Sequence, residues 1–139
     1  MTNKKDNPSE DALRRYLEEI AKFDASRDPN DKPTEADWKY FRKVFPELQN
    51  RYLETKNNEI IQILTDSEKT QIERYRETRE VLDLIGVRLM RCERNTPRNR
   101  LIETTIIMLT CGMMVKEDLL GFSLKFQEQV DIPLDKIYP

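Results

Sequence analysis

Eight arginines and no lysine occupy residues 70–115: Arg74, Arg76, Arg79, Arg88, Arg91, Arg94, Arg98 and Arg100. A guanidinium keeps its charge and offers a planar donor fork that grips a carboxylate or phosphate at two points, whereas a lysine ammonium is a mobile point charge. The run is therefore a candidate surface for an acidic partner, and its two halves differ. Arg76 with Glu80 and Arg79 with Asp83 stand four apart, and Glu73 lies three before Arg76. On a helix that spacing lets the first half neutralise itself at roughly 0.2–0.5 kcal/mol per pair. In the second half Arg88, Arg91, Arg94, Arg98 and Arg100 face one acid, Glu93, a net local charge of +4. These five are the candidate partner- or phosphate-binding residues. Salt bridges to acidic helices of the same chain are their structural alternative.

Other chemistry is sparse. The chain has no histidine, which removes Ser-His-Asp and Cys-His catalysis, the usual zinc hydrolase sites, and the Glu-x-x-His sets of di-iron bundles. Cys92 and Cys111 lack paired spacing and lie in apolar surroundings, so they read as reduced core thiols. No glycine-rich phosphate loop occurs. The expectation is a protein without catalytic residues, resident metal or cofactor.

One acidic set bears on that expectation: Glu18 and Glu19, with Glu73, Glu77, Glu80 and Asp83 further on. Carboxylates on facing helices can hold magnesium over a phosphate. Glu80-x-x-Asp83 resembles half of the acidic signature of the all-α nucleoside triphosphate pyrophosphohydrolases, which implies a magnesium-dependent nucleotide hydrolase as one alternative. That family's first motif carries a further acid where this chain has Lys22. Residues 11–20, DALRRYLEEI, are similar to the opening of a conserved region in bacterial primary sigma factors. No promoter-reading segment follows, and no function is carried over.

The elements that would position these residues are helices. The chain has 139 residues, 36% of them charged and 37% hydrophobic, with three glycines and seven prolines. That composition suits long helices with narrow apolar stripes and leaves little punctuation for strands. The expected fold is all-α, a single-domain helical bundle over residues 1–139, of about five to six helices with one long central helix or helix pair. Residues 1–6 read as a disordered start. Asn7, Pro8 and Glu10 cap a first helix, and 24–33 is a loop. Thr34 and Asp37 open a second helix whose Trp38, Phe41 and Phe45 form an interface or core face before Pro46 bends or breaks it. Residues 47–94 are helical with a split at 64–67, capped by Thr65 or Asp66 with support from Glu68.

Within that stretch Ile72, Tyr75, Arg79, Leu82, Gly86 and Leu89 alternate three and four apart, a coiled-coil-like seam. Residues 81–90 are apolar nearly all round and so expected at the centre. Asn95, Thr96 and Pro97 punctuate the chain ahead of a second central helix ending at Gly112. A last helix spans about 116–130. Residues 131–139 form an apolar tail that includes Tyr138 and is expected to dock on the body or on a partner.

A net charge of -2 speaks against bulk electrostatic coating of nucleic acid or membrane. No signal peptide begins the sequence and no apolar run is long enough to span a bilayer, so a cytoplasmic protein without membrane contact is expected. The leading functional expectation is a non-catalytic helical adaptor or regulator acting through protein–protein contacts, with itself as partner in a dimer. A small nucleic-acid-binding regulator using the corner at 88–100 is the alternative.

Overall fold

The computed structural model describes Arg14, Arg15, Glu18 and residues 32–131. Those three early residues are helical and exposed, in agreement with the polar side of the expected first helix. The rest of that helix, most of the 24–33 loop, and the tail with Tyr138 lie outside the described residues.

Among the described residues there is no strand, and the protein is all-α. Helix α1 runs over Glu35–Thr65, 31 residues, or about 46 Å at 1.5 Å per residue. Helix α2 is Gln71–Arg91, α3 is Leu101–Cys111 and α4 is Leu124–Gln129, with 3-10 turns at Arg98–Arg100 and Lys116–Gly121. Among the described residues no helix is long and apolar enough to cross a membrane.

Helix α1 starts where Thr34 accepts the Asp37 N–H at 3.1 Å. It continues through Pro46, so of the expected bend or break there the break does not occur. A proline at that position has no N–H for the carbonyl four residues back, which belongs to Arg42. The Nε–H of Arg94 donates to that carbonyl at 3.2 Å, so a side chain 52 residues away replaces the missing rung of the helix. The expected split near 64–67 exists, but its caps differ. Asp66 closes α1, and α2 begins at Thr70 with a capping box in which Thr70 and Glu73 satisfy each other's backbone N–H groups. Arg74 braces the turn by donating from Nε and Nη2 to the Asp66 carbonyl at 3.1 and 2.7 Å.

The five-residue connection makes α1 and α2 antiparallel, and two apolar clusters hold them. Ile63, Val81 and Ile85 close the turn end. At the other end Phe41, Phe45, Leu48 and Tyr52 of α1 meet α3 and the segments after it. Helix α3 is the central element, with Leu101, Ile102, Ile106, Ile107 and Met108 all buried. Gly112 ends it in the left-handed region at φ 82°, as expected of a C-cap glycine.

The expected helix over 116–130 is two pieces. Ser123 interrupts it because the Asp37 carboxylate, buried at the start of α1, accepts the Ser123 N–H and hydroxyl at 2.7 and 2.8 Å. The Ser123 oxygen in turn accepts the Phe126 N–H and starts α4. A Cβ on Gly121 would fall 2.1 Å from the Tyr40 ring, so glycine is what lets Tyr40 pack edge-on against Phe122 at 4.7 Å.

Candidate interaction surfaces

The five candidate arginines do not form one surface. Arg88 is 2% exposed and donates to the Tyr52 hydroxyl at 3.0 Å, so its assignment to the binding corner is corrected. It lies on the inner face of α2 with Val81 and Ile85, spaced four and three residues along the helix, whereas Arg91, the last residue of α2, is exposed. Burial raises the Tyr52 hydroxyl pKa, against the Arg88 hydrogen bond and charge, which lower it.

The other four are exposed. Two of them are anchored by backbone carbonyls and one lies beside an acid. Arg94 holds the Arg42 carbonyl, and the Nε–H of Arg98 donates to the carbonyl of Pro33. Arg100 lies 3.9 Å from Glu103, and Arg91 has no hydrogen bond or ion pair among the described residues. Trp38 completes the corner, half-buried, with Nε1 donating to the Thr96 carbonyl at 3.0 Å and Arg42 stacked over its ring at 5.0 Å. Phe41 and Phe45 are core residues. The corner is thus a set of bolts joining residues 94–98 to the start of α1, and the terminal nitrogens of Arg94 and Arg98 are not engaged by those bonds.

Helix α2 presents the second candidate surface. The expected central placement of residues 81–90 holds for Val81, Ile85 and Arg88, which are buried, and for Leu89, which packs on both clusters; Leu84 and Val87 are half-buried, and Leu82, Gly86 and Met90 face outward. The seam is on the outside except at its C-terminal end: Ile72 is 53%, Tyr75 58% and Leu82 53% exposed, whereas Leu89 packs against both apolar clusters. Arg79 sits among them, donating to the Tyr75 hydroxyl at 3.3 Å and lying 4.0 Å from Asp83. A Cβ at Gly86 would meet nothing within 4 Å, so no neighbour among the described residues occupies the expected close approach. Of the expected intrahelical pairs, Arg79 with Asp83 is present. Glu73 serves the cap instead, and Arg76 has no ion pair among the described residues.

Among the described residues no group of three or more acids, cysteines or histidines could hold a metal. Both cysteines are free thiols, and burial pushes both thiol pKa values up, which suppresses their reactivity. Sequence reasoning missed the fork of Arg51 on Asp118, at 3.2 and 2.5 Å. Two residues 67 positions apart leave no local signal, whereas Asp37 was at least marked by its place three after Thr34. The chain matches no protein-family model, and no curated protein or solved structure shows significant similarity to it.

Proposed function

We propose that this is a non-catalytic helical interaction protein whose outward α2 face binds another protein, in the first instance a second copy of itself. The carrying observation is the exposed row of Ile72, Tyr75 and Leu82 on a capped, 21-residue helix. Large apolar side chains aligned on one solvent-exposed helix face, here with Arg79 between Tyr75 and Leu82, mark interaction surfaces where singly scattered ones do not. The seam spacing suits a partner helix, since side chains three and four apart interlock with a second helix at a small crossing angle. Sedimentation of the full chain tests this. A dimer that Leu82→Glu converts to monomer supports it, and a wild-type monomer throughout the accessible concentration range contradicts it.

A second reading is favoured by the arginine corner. Arg94 and Arg98 are held by their Nε–H groups, which leaves the outer edges of their guanidinium groups aimed by the fold rather than floating. Aimed guanidinium groups suit phosphate or an acidic surface. Nucleic-acid binding through Arg91, Arg94, Arg98 and Arg100 predicts retardation of a labelled duplex or single strand at low salt. Arg91→Ala and Arg100→Ala would then flatten the log-log salt slope by about one unit for each phosphate no longer neutralised. Unretarded nucleic acid at low salt removes this reading.

A further inference from the structure

We infer that α2 pairs with α2 of a second copy in one orientation, antiparallel about a two-fold axis near Glu80, with Tyr75 of each copy covering Gly86 of the other; this rests on the self-association reading above.

Three features of the outward face select that arrangement. Written as heptads, Ile72, Arg79 and Gly86 hold one seam position, and Tyr75, Leu82 and Leu89 hold the other. A parallel pair would set each residue against its own copy, placing Arg79 on Arg79 and leaving a hole where Gly86 meets Gly86. An antiparallel pair instead sets residues of one kind against residues of the other. Tyr75 then faces Gly86, the largest exposed ring against the position where a Cβ would have open space. Leu82 faces Arg79, whose charged end already leans on the Tyr75 hydroxyl and Asp83 of its own chain, and Ile72 falls opposite Leu89, which packs on its own chain's core, beside Met90, 79% exposed.

Charge selects the same orientation. Arg76 and Asp83 are seven apart and flank the seam on one side, both exposed. In an antiparallel pair that flank lies along the partner's same flank, so Arg76 of each copy meets Asp83 of the other and two opposite-charge contacts form. In a parallel pair the flank lies along Gln71 and Thr78 of the partner, and neither charge finds its opposite. The intrachain contact of Asp83 with Arg79 is long and 67–74% exposed at its side chains, so it competes weakly.

Charge reversal with rescue tests the orientation. Arg76→Asp, Asp83→Arg and the double variant are compared with the wild type by sedimentation equilibrium, with circular dichroism to verify helix content. The expected result is a wild-type dimer, weakened by about tenfold or more in Kd by either single reversal, and restored in the double variant because the swapped charges meet again across the axis. A wild-type dimer indifferent to the single reversals, or one that the double variant fails to restore, overturns the orientation and leaves self-association standing. A wild-type monomer overturns both. A photocrosslinker carried on Leu82→Cys, whose exposed thiol reacts ahead of the shielded Cys92 and Cys111, separates the occupants. Crosslinks between two copies of α2 support the pairing. Crosslinks within one chain to residues 13–23 overturn it by assigning the face to the chain's own first helix.

Discussion

Arginine serves this protein as a hydrogen-bonding tool before it serves as a charge. Arg94 is the clearest instance, since the carbonyl it holds is the one that Pro46 leaves without a donor. Replacing Arg94 with alanine should lower unfolding free energy by about 1 kcal/mol in the wild type. In a Pro46→Ala background it should have almost no effect, because an alanine in place of the proline supplies the missing N–H. Equal losses in both backgrounds, read from denaturant unfolding, would contradict this role. Asp118 makes a comparable pH-dependent contribution. Burial alone would raise its carboxyl pKa, but the Arg51 fork and the Val115 N–H outweigh it and hold the value below the ordinary range. A depressed folded-state pKa stabilises fully above the unfolded value, about 3.9, and that stabilisation is lost as pH falls through the folded value. The wild type should therefore lose more stability than Asp118→Asn between about pH 5 and pH 2. Parallel stability–pH curves for the two proteins would remove the argument.

Helix α2 carries two faces with different work. Its inner face, Val81, Ile85 and Arg88, is needed to fold; its outer face is not used by the described chain. Gly86→Ala separates those demands. Alanine in an exposed helix interior should stabilise the dissociated chain by about 0.5–1 kcal/mol, and the same methyl group should obstruct Tyr75 of a partner and weaken the dimer. A variant that is more stable and equally dimeric would show that Gly86 is merely tolerated. The helical class, the break before α2, the Gly112 cap and the seam spacing were legible in the sequence because each depends on neighbours within a few residues. The direction the seam faces was not, since periodicity gives a stripe without saying which stripe is inward when both sides of a helix are partly apolar. Pro46 misled for a related reason. Its usual penalty assumes that the freed carbonyl has no other donor, and Arg94 arrives from far along the chain to supply one. The division at Ser123 also needed a distant group, the Asp37 carboxylate, to become visible.

Across the molecule, α3 and the turns after it form a closed apolar body at one end of the α1–α2 hairpin, and the hairpin extends from it with an apolar row still facing water. Burying that row in a second copy would convert the least satisfied surface of the protein into a two-helix seam. The arginine corner lies at the end of the hairpin that carries this body, against the start of α1, whereas Ile72 and Tyr75 stand near the turn end of α2, so substitutions can separate nucleic-acid binding there from pairing through α2. Sedimentation equilibrium of the full chain beside Leu82→Glu, over a dilution series into the low micromolar range, tests the central claim most directly. The prediction is a concentration-dependent dimer for the wild type and a folded monomer for the variant. A wild-type monomer at every concentration, or a dimer untouched by a glutamate at position 82 of the row, would contradict it.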